Sequence, residues 1–257
     1  MKVEVNAFAK ALKEQRKQIG LWVSLSNNYL ADVLAHAGFD WMMIDMEHSP
    51  NDLQSVLGQL QTFASAQTPV LVRPPWNEPV IVKRLLDLGA PGLLFPMIQN
   101  AQEAKAAVAA TRYPPDGIRG VAGSTRATKF GRVKNYVNEY AAQTPIIMQL
   151  ETATAIANAE KIAAVDGVDG IFFGPGDLAA DLGMVGQAKH KKVWDTILPV
   201  AETLMAQGVP VGTLVLDADF GIKLLNSGFT FVACGADSAL LANSADHLLN
   251  TVKGGLQ

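Results

Sequence analysis

Two carboxylates stand where short apolar runs give way to turns. Glu151 follows Pro145-Ile146-Ile147-Met148-Gln149-Leu150 and is the first residue of that run that could reach a ligand. Asp177 follows Asp169-Gly170-Ile171-Phe172-Phe173 and the turn Gly174-Pro175-Gly176. Two acids at the carboxyl ends of successive strands, one βα unit apart, suit a hard divalent cation. The glycines leave backbone N–H groups bare at a helix start, where an anion can sit. The plainer reading is that each acid caps the helix after it.

Other reactive side chains occupy equivalent places. Asp45-Met46-Glu47-His48 sets two acids beside an imidazole on a loop that Asn51 is expected to close as a helix cap. A carboxylate that orients an imidazole also sets which nitrogen carries the proton. Arg73 ends Pro69-Val70-Leu71-Val72, and a guanidinium there fits a carboxylate or a developing oxyanion. Glu47 is a candidate to hold it. Trp22, Ser24, Ser49 and Leu214 lie near other strand ends. No lysine stands at a strand end, so a Schiff base is unsupported. No Cys/His set has zinc-finger spacing. The residues alone imply a metal-assisted carbon–carbon lyase or isomerase acting on a keto acid.

Such groups need a frame that gathers strand ends. Apolar runs at 20–25, 40–45, 69–73, 92–95, 145–150, 170–173, 209–214 and 229–233 alternate with amphipathic stretches at 29–37, 52–66, 79–88, 101–111, 153–164, 191–207, 217–226 and 238–252. Strand then helix, repeated through 257 residues, predicts a (β/α)8 TIM barrel of the α/β class, one domain over 1–257. Pro79 opens one helix, and Gly38, Gly89, Gly167, Gly208 and Gly228 follow helix ends. An open doubly wound sheet would call for a Gly-rich fingerprint after the first strand, and none is there. Two stretches break the rhythm: a Gly/Arg/Thr-rich loop at 113–131 with an extra helix expected over 132–142, and an irregular segment at 180–190.

Composition agrees with a globular chain, 49% hydrophobic and 18% charged. The net charge of −3 implies no preference for nucleic acid or an anionic membrane. The lone Cys234 reads as a buried, inert thiol in a reduced compartment. No signal peptide or membrane-spanning run is visible, so a soluble, cytoplasmic protein is expected.

The motifs Asp45-Met46-Glu47-His48-Ser49-Pro50, Val72-Arg73-Pro74, Gln149-Leu150-Glu151 and Gly174-Pro175-Gly176-Asp177-Leu178 resemble the metal-dependent, pyruvate-using aldolases. That family includes 4-hydroxy-2-oxoheptanedioate, 2-keto-3-deoxyrhamnonate and 2-dehydro-3-deoxyglucarate aldolases and macrophomate synthase. The resemblance runs from about Gly20 to the C-terminus, through Tyr113-Pro114-Pro115 and Arg119-Gly120. It implies that Glu151 and Asp177 ligate Mg2+, Mn2+ or Co2+. Pyruvate would chelate that metal, with its carboxylate on the amides of Gly176 and Asp177. Arg73 would stabilise the enolate oxygen, Gln149 would position pyruvate or water, and His48 would serve as acid/base. Asp87 matches a family aspartate that approaches a neighbouring subunit's site and pairs with its histidine; the sequence alone makes it an ordinary helix residue. The resemblance also implies hexamers, trimers of dimers that exchange their last helix.

The loop Arg119-Gly120-Val121-Ala122-Gly123-Ser124-Thr125-Arg126-Ala127 departs from the heptanedioate pattern, which leaves the aldehyde open. Trp22, Ser49, Val121, Ser124 and Leu214 are expected to shape the aldehyde side. Two other readings stand beside this one. A citryl- or malyl-CoA-type lyase would need a basic nucleotide pocket, and the strand ends offer only Arg73. A keto-acid-binding barrel without catalysis would have no use for an acid/base group.

Overall fold

Strands apolar on both faces belong in a parallel sheet covered by helices, and this chain closes such a sheet on itself. The computed structural model describes residues 1–256. Helix α1 (Ala7–Lys13) precedes β1 (Gln18–Val23), α2 (Asn28–Ala35), β2 (Trp41–Asp45) and α3 (Leu53–Ser65). Next come β3 (Val70–Arg73), α4 (Pro79–Asp87), β4 (Leu93–Phe95) and α5 (Ala101–Thr111). A long connection holds the one-turn helix α6 (Tyr136–Glu139) before β5 (Ile146–Leu150), α7 (Ala153–Ala157) and α8 (Ala159–Ala163). The chain continues through β6 (Gly170–Phe173), α9 (Pro175–Asp181), α10 (Lys191–Ala206), β7 (Val211–Leu214) and α11 (Ala218–Ser227). It ends in β8 (Phe231–Ala236) and α12 (Asp237–Gly255). Each strand pairs in parallel with the next, and β8 pairs with β1, closing a TIM barrel as expected.

The period-two alternation of strands sorts the apolar residues into two cores. Met42, Ile44, Val70, Val72, Met148 and Leu150 point outward and pack under the helices. Trp22, Trp41, Met43, Leu71, Ile147, Phe172 and Phe231 point inward and fill the barrel. The same alternation carries Asp45, Arg73 and Gln149 inward, two residues beyond Met43, Leu71 and Ile147. Asp45 and Arg73 are direct partners across β2 and β3. At the other end, Phe8 and Leu12 of α1 enter the inner core, with the Phe8 ring 5.5 Å from both Trp41 and Phe231. Gly20 leaves room for that plug, because a Cβ there would lie 2.1 Å from the Trp41 ring.

Several local expectations are corrected. The stretch before residue 20, for which no element is expected, contains α1. Helix 153–164 is two short helices that break at Asn158, whose side chain donates to the Gln99 carbonyl at 3.1 Å. The extra helix over 132–142 shrinks to α6 and a 3-10 turn at Ala141–Gln143. The irregular 180–190 begins inside α9. Strand β8 starts and ends later than expected, at Phe231 and Ala236. The cap of α3 is Asp52, which accepts from the Gln54 and Ser55 amides. Asn51 instead donates to the Asp45 carbonyl at 2.7 Å and accepts from Gln59 at 2.6 Å, tying down the 45–51 loop. No helix among the described residues is long and apolar enough to cross a membrane.

Candidate active site

The carboxyl end of the barrel gathers most of the expected groups. Arg73 is 5% exposed and Asp45 2%. Arg73 Nε donates to Asp45 Oδ1 at 2.8 Å and Nη2 to Oδ2 at 2.7 Å, a two-pronged pair. Its Nη1 lies 2.8 Å from Glu47 Oε2. Asp45 also accepts from the Glu47 amide at 3.0 Å and from Trp22 Nε1 at 3.2 Å. Burial alone would raise its carboxyl; the Arg73 bonds and charge outweigh that and hold it below the usual range. With four donors on two oxygens, Asp45 has no lone pair left for proton transfer. It orients Arg73.

Glu151 is 1% exposed, at the turn after β5. Its Oε1 accepts from the Met97 amide at 2.7 Å, and its Oε2 accepts from Gln149 Nε2. Burial, with the charges of Glu47 and Asp177 adding to it against the Met97 bond, pushes the carboxyl up to about 8. Glu47 is raised by burial as well. Neither Glu151 nor Asp177 caps the helix after it: Thr152 caps α7, and Gly174 precedes α9. A Cβ at Gly174 would lie 2.6 Å from Glu151 Oε2, so only glycine leaves that oxygen clear. Gly176 and Asp177 are the second and third residues of α9, where amides have no acceptor within the helix.

This donor set fits a divalent cation. The charges of Glu47 and Asp177 both act on the buried Glu151, and Gln149 Oε1 is buried with no partner among the described residues. No cluster of three His, Cys, Asp or Glu side chains is arranged as a metal site among the described residues. The protein's share would be the two carboxylates Glu151 and Asp177.

The other candidates divide. Leu214, half-buried at the end of β7, packs on the inner core and faces the mouth. His48 is exposed on the rim, and Glu47 Oε2, 3.9 Å from its Nε2, is beyond hydrogen-bond reach. Ser49 turns inward and donates to the Asp45 carbonyl. Trp22 is 5% exposed, with its ring 4.8 Å from the Arg73 guanidinium carbon. Val121 and Ser124 are exposed on the α5–β5 connection, and such αβ connections run at the amino end of a barrel. They are therefore at the opposite end from Glu151 in this chain. Asp87 ends α4 at that same end, where its Oδ1 accepts from Arg119 Nη2 at 2.8 Å. The sequence reading missed Met97. It stands in a left-handed conformation (φ +56°) after β4, which aims its amide at Glu151. Pro96 was the one signal of a turn there.

The match to the family model of HpcH/HpaI aldolase/citrate lyase spans residues 18–244. The chain belongs to that family. It is similar to a 4-hydroxy-2-oxo-heptane-1,7-dioate aldolase of Salmonella heidelberg, 48% identical over 244 residues, covering 95% of this chain and 93% of the relative. A pyruvate aldolase of Rhizobium etli is 46% identical over 248 residues, covering 96% and 98%. The crystal structure of a family member from Burkholderia cenocepacia J2315 superposes with a TM-score of 0.93 at 39% identity, covering 97% of this chain and all of that one. As an HpcH/HpaI family member the chain is a lyase of the class II aldolase type.

Proposed function

We propose that this family member uses a divalent metal to add the enolate of pyruvate, or of a close 2-oxo acid such as hydroxypyruvate, to an aldehyde, and to cleave 4-hydroxy-2-oxo acids in reverse. The observation that carries the reading is Glu151: a carboxylate 1% exposed at a strand end, held by the Met97 amide and Gln149 Nε2 and set among the charges of Glu47 and Asp177, where burial pushes it up to about 8. Glu151 and Asp177 would hold Mg2+, Mn2+ or Co2+. A bound divalent ion supplies Lewis-acid stabilisation of the keto oxygen as it gains charge.

The chain's own residues do the rest. The amides of Gly176 and Asp177 bind the keto acid's carboxylate. Arg73, two of whose five N–H groups are bonded to Asp45 and whose Nη1 lies beside Glu47 Oε2, keeps N–H groups for the enolate oxygen. His48, on the rim, takes the proton from the substrate's 4-hydroxyl during cleavage and returns it during addition. Gln149 holds Glu151 and presents its own carbonyl to the ligand. Leu214 borders the aldehyde. Homo-hexamers are part of this reading, supported by the exposed Leu240, Leu241, Leu248 and Leu249 of α12.

Incubation with pyruvate, each divalent ion and a panel of aldehydes tests the function. Mass spectrometry should find 4-hydroxy-2-oxo acids. Absence of product with every ion and aldehyde, while pyruvate still binds, would move the chain to the binding-protein class.

A further inference from the structure

We infer that Trp22 is a positioning residue for Arg73, holding the guanidinium through the face of its ring and through its indole N–H to Asp45. This rests on the aldolase reading and adds a residue to it.

The Arg73 guanidinium carbon stands 4.8 Å from the centroid of the Trp22 ring, within the range of a cation–π contact. The indole N–H reaches Asp45 Oδ2, the oxygen that also takes Arg73 Nη2. Asp45 Oδ1 takes Arg73 Nε and the Glu47 amide. The carboxylate is thus gripped by one outside donor on each oxygen, and it cannot rotate without breaking both. A fixed carboxylate fixes the two-pronged arginine pair, and the ring beneath limits tilting of the guanidinium plane. Trp22 is itself braced by Phe172, 5.6 Å away between centroids. The β1–β8 ladder shifts register between Gly20 and Trp22, a local irregularity of the kind that re-aims a side chain. Oxyanion stabilisation depends on a donor already in place when charge develops. The indole has both its face and its N–H turned to the Arg73–Asp45 pair.

The test is deuterium exchange into the pyruvate methyl group, followed by NMR with Mg2+ and pyruvate saturating. Trp22→Phe keeps a ring under Arg73 and removes the N–H. It should lower kcat by about tenfold, the weight of a hydrogen bond to a charged group, with little change in KM for pyruvate. In an Arg73→Lys background the same substitution should cost less than about twofold, because an ammonium cannot make the two-pronged pair that Trp22 aligns. Equal losses in both backgrounds would mean a general structural effect and overturn the inference. So would a wild-type exchange rate in Trp22→Phe with a changed aldehyde preference. If Trp22→Phe does not fold, β-(3-benzothienyl)alanine at position 22 decides, since it keeps the bicyclic ring and lacks only the N–H; an unchanged kcat overturns the inference. A wild-type chain that exchanges no protons would instead sink the aldolase reading.

Discussion

Arg73→Ala should separate the chemical from the structural weight of this guanidinium. It removes three short charged contacts, to Asp45 Oδ1, Asp45 Oδ2 and Glu47 Oε2, each at 2.7–2.8 Å. Breaking a buried ion pair by deleting one partner costs about 3–5 kcal/mol, because the other charge stays buried. That cost has a sign in pH. With arginine present, the Asp45 carboxyl sits below its ordinary value of 3.8. The pair therefore stabilises the fold above that range and loses its contribution as pH falls through the lowered value. Without arginine, burial dominates and Asp45 takes up a proton more readily. The variant's deficit should grow as pH rises from the lowered Asp45 value through the range in which the unpaired, buried Asp45 gives up its proton. Urea denaturation at several pH values measures it. Activity should fall further than stability explains. Removing one oxyanion donor typically costs a hundredfold or more, roughly 3–4 kcal/mol of barrier. The enolate forms both in cleavage and in methyl-proton exchange, so both reactions should fall together in protein that is still folded. Exchange at the wild-type rate, with metal and pyruvate saturating, would show that Arg73 does not stabilise the enolate, and the mechanism would have to be redrawn.

Prolonged chelation should abolish turnover, and Mn2+, Co2+ or Mg2+ should restore it; full activity in verified metal-free protein, or pyruvate trapped on a lysine by borohydride, contradicts this. The Glu151 carboxyl, pushed up to about 8, must lose its proton before it can ligate. Metal affinity should therefore rise with pH up to roughly pH 8 and then level off, and calorimetry showing a flat affinity from pH 6 to 8 would show that no proton leaves Glu151 on binding. His48→Ala should lose aldol cleavage by about a hundredfold or more yet keep part of the proton exchange; equal loss of both would place His48 on the enolate step. Leu214→Ala should relax preference among aldehydes by about 1–3 kcal/mol and leave pyruvate affinity nearly unchanged, and the reverse pattern in competition assays would remove it from the aldehyde side.

The sequence made the barrel legible because each strand is apolar on both faces and each helix is punctuated. Pro79 opens α4, and Gly228 ends α11 at a φ of +116°. Glu151, Asp177, Arg73 and Asp45 were legible for a related reason: they are polar residues closing apolar runs, and the topology gathers such ends. Three kinds of information were not in the pattern. What a strand-end side chain touches is not written in its type, so Trp22, packed on Arg73, and Leu214, half-buried at the end of β7, looked alike. Loop direction decides which end of the barrel a connection serves, so the sequence did not show that Val121 and Ser124, on an αβ connection, lie at the end opposite Glu151 within one chain. Backbone donors have no residue type, so the Met97 amide on Glu151 was invisible. Asn51 and Asp52, adjacent and both capable caps, could not be told apart until one side chain was seen bonded into the loop.

The closure of β8 on β1 also sets a schedule for the newborn chain. Gln18 lies opposite Phe231, so the first strand cannot complete its pairing until the last has been made. At about 5–20 residues per second on a ribosome, roughly ten to forty seconds separate the two. Over that interval β1 has β2 on one side and a bare edge on the other. The groove that α1 will plug is unfinished as well, because Phe231 is one of its walls. An unpaired, apolar edge is the surface on which chains join one another. Helix α1, synthesised ahead of all eight strands, is thus among the last pieces of the barrel that can settle. Fragments that stop before Phe231 should collect as aggregates, whereas the full chain, once closed, presents no strand edge at all.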